Sequence, residues 1–280
     1  MPGTLFVVAT PIGNLEDLSF RALRVLKEVQ LIAAEDTRRT AKLLAHYEIR
    51  CSVVSLREHN ERRETPRLLA RLAAGDSVAL VSDAGTPTVS DPGAGLVRAA
   101  RTQGIPVVPI PGPSAVTTAL SASGFPGDAF LFLGFPPRGG RARETWLSRL
   151  AQAQDAVVFF EAPHRIRQTL AEVSDTVVKR PILIFREITK KHEEYVEYTS
   201  QTAVQDRGEF TVVVGPARSV GNKPEIGPDS VAALVDFLSG PLGQTREEAE
   251  IMAARTLASD VRAIRSTVKK HRILVKRHND

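Results

Sequence analysis

The sequence predicts an α/β chain: a mostly parallel sheet with helices on both faces, then a second α+β region, then a small helical appendix. Three observations predict it. Short apolar runs alternate with helix-spaced patterns through the first 125 residues. That rhythm changes after "SGFPGD" (123–128), where strand-like runs crowd together. A Pro/Gly-containing polar stretch, "PARSVGNKPEIGP" (216–228), then sets off a tail rich in Lys and Arg. The predicted divisions are 1–122, 123–217 and 229–280.

In chain order, "TLFVVAT" (4–10), "LIAA" (31–34), "SVVSL" (52–56), "SVALV" (77–81) and "IPVVPI" (105–110) read as buried strands. "DLSFRALRVLKEV" and "RRETPRLLARLAAG" between them carry helical apolar spacing, with Gly75 placed as a helix stop. In the second region "AFLFLGF", "DAVVFF", "RPILIF", "EEYVEY" and "EFTVVVG" read as strands with antiparallel pairing, and helices are expected near 143–153 and 165–173. From Arg255 onward the tail holds eight Lys or Arg against two Asp.

Composition narrows the function classes. A content of 42% hydrophobic and 25% charged residues is that of an ordinary globular chain. The single cysteine, Cys51, excludes an internal disulfide framework, and the six histidines show no metal-ligand spacing, so no metal site is expected. No stretch approaches ~18 continuous apolar residues, and no export signal opens the chain, so a cytoplasmic protein with no membrane span is predicted. The net charge of +5 leans toward an anionic partner. Only 11 Phe, 3 Tyr and 1 Trp are present, without the aromatic cluster of an RRM-type stacking platform.

Ligands of a parallel sheet sit beyond the carboxyl ends of its strands. Five loops follow those ends: "PIGNLED", "EDTRR", "REHNE", "DAGTPTVSDPG" and "PGPSA". In the fourth, Pro87 and Pro92 stiffen the backbone while Gly85, Gly93 and Gly95 let a flat ligand come close. Asp83, first after its strand, is placed to accept hydrogen bonds from an ammonium or from ribose hydroxyls. Helix capping is the competing role for Asp83, and more so for Asp91. "PGPSA" is a second rigid turn, with Ser114 either a plain N-cap or part of a pocket. The first loop fits neither GxGxxG nor a P-loop, so no pyrophosphate cradle exists and a nucleoside-like cofactor without phosphates remains.

Taken in order, "TPIGNLEDLSFRAL", "AAEDTRRT", "SDAGTPTVSDPG" and "PGPSA" closely resemble the tetrapyrrole-methylase superfamily, the class III S-adenosylmethionine methyltransferases. Within it, "AEDTR", "FFEAPHR" (159–165) and "FREITK" (185–190) resemble the ribosomal RNA small subunit methyltransferase I family, over about residues 3–216. The resemblance implies two α/β domains with S-adenosylmethionine in the cleft between them, and a homodimer. It implies methylation of the ribose 2′-oxygen of a cytidine in the decoding region of 16S rRNA, with the rRNA or the 30S subunit as partner. It also implies a cofactor set of Pro11, Asp83, Ala84, Gly85, Thr86, Pro87, Ser114 and Ala115. The sequence departs from the family's "FYESPHR", having Phe160 and Ala162 where Tyr and Ser are usual.

A ribose hydroxyl is a poor nucleophile, so a base or a cation must assist it. The charged candidates are Glu35, Asp36 and Arg38 of "EDTRR", Glu161, His164 and Arg165 on the second region, and Glu187 and Lys190 beyond. Glu161 and Lys190 are favoured for proton handling, with Asp36 and Arg38 beside them; structural ion pairs are the alternative role for each. "RGGRAR" (138–143) and "RAIRSTVKKHRILVKRH" (262–278) suit phosphate contacts. A small-molecule methylase of the same superfamily, acting on a corrin precursor, and a non-catalytic ribosome-binding factor are the other functions compatible with these residues.

Overall fold

The computed structural model describes residues 1–217, 228–240, 244–256, 261–262 and 264–269. The chain divides into two compact units, Met1–Ser219 and Val220–Asp280. The first unit contains two five-stranded sheets.

Strands β1 (Leu5–Val8), β2 (Leu31–Ala34), β3 (Ser52–Ser55), β4 (Val78–Val81) and β5 (Val107–Ile110) form an all-parallel sheet in the order β3-β2-β4-β1-β5. Both faces are covered, which is why its strands read as unbroken apolar runs. Ile32 and Ala34 pack on one face with α1 (Phe20–Glu28) and α2 (Thr37–His46). Leu31 and Ala33 pack on the other with α3 (Glu61–Ala73) and α4 (Ala94–Thr102). A fully buried leucine or isoleucine of this kind contributes roughly 1.5–3 kcal/mol, and an alanine less. The caps are local: the Ser19 side chain accepts from the Ala22 N–H to start α1, and Asp36 accepts from the Arg38 N–H to start α2.

A fifth helix, α5 (Ala115–Ala122), leaves the first sheet and lies on the second. There Val116, Ala119 and Leu120 meet Val158, Phe185 and Val213. The second sheet comprises β6 (Phe130–Phe132), β7 (Ala156–Glu161), β8 (Ile182–Arg186), β9 (Glu194–Glu197) and β10 (Phe210–Val214), in the order β6-β7-β10-β8-β9. Helices α6 (Gly140–Gln152) and α7 (Ile166–Thr176) cover its other face through Trp146, Leu150, Ile166, Leu170 and Val173. The expectation of antiparallel pairing needs one correction: β6 and β7 run parallel. The connection between them carries α6, long enough to return the chain to the same end of the sheet.

The second unit holds α8 (Pro228–Ser239), α9 (Arg246–Thr256) and a helical stretch at 264–269. Its own apolar cluster joins Val231, Val235 and Leu238 to Ala249, Ala253, Ile264 and Val268. Most of the predicted linker and the tail from 270 lie outside the described residues. Among the described residues no helix is long and apolar enough to cross a membrane.

Candidate active site

The loops beyond β1, β4 and β5 are stitched to one another. Thr10 and Gly85 exchange two backbone bonds of 2.8 and 2.9 Å, which zips the first loop to the fourth. The Thr86 hydroxyl donates to the Pro113 carbonyl at 3.2 Å, adding the loop after β5. The fourth loop is also strained. Thr88 and Ser90 stand at φ of 72° and 64°, left-handed values that disfavour residues with a Cβ. Such strain concentrates where a loop must hold a fixed shape for a ligand.

Between the two sheets of the first unit lies a cavity of about 490 Å³. Its first wall comes from the parallel-sheet loops, with Glu35, Arg39, Asp83, Asp91 and Ser114. Its second wall comes from the other sheet, with Phe135, Phe160, Glu161, Glu209 and Thr211. A second pocket of about 350 Å³ adjoins it, sharing Arg39, Asp83 and Glu209 and adding Pro11, Lys42 and Lys190.

Of the residues singled out in the sequence, Asp83, Ala84, Gly85, Thr86, Ser114, Ala115 and Glu161 line the larger cavity. Pro11 and Lys190 line the smaller one. Pro87, Asp36 and Arg38 line neither. The Asp36 carboxylate starts α2 and pairs with the exposed Arg38, whose hydrogen bonds hold it well below the usual carboxylate range. Asp83 has a structural bond as well, accepting from the Asp36 N–H at 2.9 Å. Ser114 occupies the N-cap position of α5 but its side chain accepts no capping bond, which leaves the hydroxyl to the cavity.

Asp91 does not cap α4. The N-cap residue of that helix is Gly93, which has no side chain to cap it, and Glu61 of α3 supplies the acceptor instead, at 2.7 Å from the Gly95 N–H and 3.1 Å from that of Leu96. Asp91 sits in the cavity wall, where burial and then the nearby Glu35 carboxylate push its pKa up to about 6. Glu35 is raised too, by burial first and by Asp83 second, and its Oε2 is buried without a hydrogen-bond partner. Sequence reasoning missed Arg39, whose Nε lies 3.6 Å from Asp83 Oδ2, and Phe135. The available signals were the doubled arginine of "EDTRR" and an aromatic residue placed directly before "PPRGG".

Glu161 is 2% exposed and fully engaged. Its carboxylate accepts from the Thr169 hydroxyl at 2.6 Å and from the Ala162 N–H at 2.7 Å, with Arg165 at 3.5 Å. Lys190 donates to Glu187 and Glu209, both at 2.9 Å. Burial would lower its pKa, but these two carboxylates raise it above the ordinary lysine value, so it is a permanent cation. It is brought to the first loop by Gly13, where any Cβ would stand 2.4 Å from Lys190 Cγ, and by the Asn14 N–H, which donates to Thr189 at 3.0 Å. Among the described residues no His, Cys, Asp or Glu group is arranged to hold a metal ion.

The sequence model of the tetrapyrrole (corrin/porphyrin) methylases matches residues 4–204. The chain is 41% identical to the ribosomal RNA small subunit methyltransferase I of Pseudomonas aeruginosa, with 95% of each chain covered. It is 44% identical to that of Neisseria meningitidis serogroup B, covering 91% of this chain and 89% of the relative. Among solved structures, a uroporphyrin-III C-methyltransferase from Thermus thermophilus complexed with S-adenosylhomocysteine is similar at TM-score 0.53 and 20% identity, covering 77% of this chain and 98% of that one. A cobalt precorrin-4 methyltransferase is similar at TM-score 0.57 and 16% identity, covering 76% and 94%. The solved structures share the fold, and the sequence matches carry the relationship: the chain belongs to the tetrapyrrole (corrin/porphyrin) methylase family, in its ribosomal RNA small subunit methyltransferase I branch.

Proposed function

We propose that the chain is an S-adenosylmethionine-dependent ribosomal RNA methyltransferase, and that its target is the 2′-hydroxyl of a cytidine in the decoding region of 16S rRNA. Identity above 40% over nearly the whole chain to relatives named for small-subunit rRNA methylation carries the reading.

The cavity fits the cofactor. Its volume of about 490 Å³ lies within the range for small-molecule sites. Three carboxylates, Glu35, Asp83 and Asp91, line it and would face the ammonium and sulfonium of the cofactor. Asp83, Ala84, Gly85, Thr86, Ser114 and Ala115 would hold it there, with Pro11 at the adjoining pocket and Pro87 stiffening the loop from behind. When bound, the cofactor supplies an electrophilic methyl group on a sulfonium. The protein then has to orient the acceptor and manage one proton.

The geometry divides that work. Lys190 cannot take a proton, being already charged and doubly paired, so its role is to stabilise negative charge developing on the ribose oxygen. Glu35 has spare acceptor capacity in the cavity and is the candidate for the proton. Glu161 is a positioning residue, since each of its oxygens is already bonded. Asp36 and Arg38 act from outside, fixing the start of α2 that carries Arg39 into the wall.

A homodimer in the cytoplasm, with residues 1–122 and 123–217 working as two domains and 229–280 as an rRNA-gripping appendix, completes the proposal. The test is to incubate the protein with labelled S-adenosylmethionine and either 16S rRNA or 30S subunits and to map the label. Label on the 2′-oxygen of one decoding-region cytidine is expected. Label on neither, from a protein that binds the cofactor, overturns the reading.

A further inference from the structure

The mouth of the larger cavity has an aromatic side that the cofactor assignment leaves unused. Phe135 lines the cavity and is 53% exposed, a large apolar surface to leave in water. Its ring stands 5.4 Å from that of Phe160, which in turn meets Phe132 edge-on at 5.1 Å. From the other wall Val89, 37% exposed, is held out between the strained Thr88 and Ser90.

Phe135 is not loosely placed. The two carbonyls that follow it in the chain are held by arginines: Arg165 donates to Pro136 at 2.7 Å and to Pro137 at 3.1 Å, and Arg143 donates to Pro137 at 2.8 Å. Arg143 also bonds Thr169 at 2.9 Å and Glu172 at 2.7 Å, and Thr169 bonds Glu161. Two prolines and a buried charge network therefore fix one exposed phenylalanine. The residues beyond them carry the opposite character. Arg138 and Arg141 are exposed, and among the described residues no hydrogen bond or ion pair engages either guanidinium. Arg138 lies at most ~11 Å along the chain from Phe135. Arg141 sits in the first turn of α6, whose N-cap residue, Gly139, provides no side-chain cap.

A rigid exposed aromatic ring beside unpaired cations, at the mouth of a cavity, is the combination that binds single-stranded nucleic acid. A nucleotide inside a helix cannot present its 2′-oxygen to a closed cavity unless its base leaves the stack and finds another surface. We infer that residues 135–141 form the acceptor-strand contact of this cleft: Phe135 stacks on the base of the nucleotide whose ribose enters the cavity, and Arg138 and Arg141 hold the phosphates beside it. This inference rests on the rRNA methylation reading and names the surface that delivers its substrate.

The test compares the full chain with Phe135→Ala, Phe135→Trp and the double variant Arg138→Ala/Arg141→Ala. Three readouts are needed: S-adenosylmethionine affinity by calorimetry, kcat/KM for 30S subunits, and binding of a single-stranded oligonucleotide of the target sequence carrying a fluorescent base analogue. Phe135→Ala is expected to lower oligonucleotide affinity and kcat/KM on the order of ten- to a hundred-fold and to abolish the stacking quench. Cofactor affinity should stay within about twofold, and Phe135→Trp should restore RNA binding. The double arginine variant should flatten the salt dependence of binding by roughly 0.7 in log–log slope per arginine. An equal loss of cofactor affinity in Phe135→Ala would assign the ring to the cofactor instead. A shift of that variant to a smaller species in sedimentation would assign it to a second copy of the chain. Unchanged oligonucleotide binding would also overturn the inference. The fluorescence readout needs no methyl transfer, so its result is separate from the success or failure of the functional reading.

Discussion

The Asp83 carboxylate accepts a 2.9 Å hydrogen bond from the backbone N–H of Asp36, 47 residues earlier in the chain. One side chain thus ties the end of β4 to the start of α2 and still faces both pockets. Its pairing with Arg39 at 3.6 Å is partly solvated and contributes little beyond this.

Replacing Asp83 separates its two jobs. Asp83→Ala leaves the Asp36 N–H without its acceptor and should weaken S-adenosylmethionine binding by ~1–3 kcal/mol while lowering stability. Asp83→Asn retains an oxygen that can accept the same bond, so stability should return while affinity for the cationic cofactor stays reduced. Calorimetry beside thermal unfolding checks this. If Asp83→Asn binds like the native chain, the charge plays no part in holding the cofactor.

The carboxylates of the cavity also set a pH dependence. Asp91 titrates near 6 in the folded chain, against ~3.9 for an unperturbed Asp. Between those values the native state binds more protons than the unfolded one, so this group's contribution to stability falls as pH rises from about 4 to 6 and stays low above. Glu35 acts in the same direction, and Asp83, Arg39 and Arg57 face the pair. Asp91→Asn should therefore melt with the native protein below pH 4 and progressively above it through pH 6, with a constant advantage at pH 7–8. A cation favours the ionised carboxylate, so native cofactor affinity should rise through pH 6 and that of Asp91→Asn should rise less. A constant difference in melting temperature across pH 4–8 would remove Asp91 from this account.

Some of this is legible in the sequence, for identifiable physical reasons. "SVALV" and "LIAA" announce themselves because a parallel strand buried on both faces has no polar alternation to confuse with a helix. The four-residue motif "AGTP" after Asp83 is equally visible, since Gly and Pro restrict the backbone by themselves. The direction of β6 was not, because a three-residue strand carries no record of its partner. The sequence leaves Asp91 between cap and ligand contact because Asp suits both, and the true acceptor, Glu61, lies on another helix. Arg38 and Arg39 are neighbours of one type, and only the phase of α2 turns one outward and the other into the wall. The engagement of Glu161 depends on Thr169 and Arg165 reaching it from α7 and its cap, contacts that spacing alone does not announce.

Glu161 and Lys190 should respond to mutation in opposite ways. Glu161→Ala removes the buried partner of Arg165 and Thr169 and should cost about 3–5 kcal/mol in denaturant unfolding. At a temperature where the variant is folded, its residual rate should retain the native pH profile. Lys190→Gln keeps a donor for Glu187, which also retains its bond from the Glu209 N–H, and leaves the Glu209 carboxylate in water, so it should cost little stability. It should instead lower kcat on the order of a hundred-fold, the usual effect of losing one charge-stabilising donor. Equal stability loss with full activity in Lys190→Gln would make it a structural ion pair only.

The second unit provides the last prediction, because it separates an RNA substrate from a small molecule. Residues 220–280 form a compact unit of their own, with their own apolar cluster, so Ser219 is a natural place to end the chain. Not every basic residue of the appendix is available to a ligand: Arg265 is taken by Glu250 at 2.6 Å and Glu247 at 2.9 Å. From Arg255 the charge balance nevertheless remains strongly positive, with eight Lys or Arg against two Asp. Phosphate contacts position a substrate without reading its bases, and they make its affinity depend on salt. The truncated protein should bind S-adenosylmethionine with nearly native affinity, lose most of its rRNA affinity, and show a shallower salt slope for what remains. A small-molecule acceptor would be methylated equally well without the appendix. If truncation removes thermal stability and cofactor binding together, the appendix supports the fold rather than the substrate; if rRNA affinity and salt slope are unchanged, the grip lies wholly within the first unit.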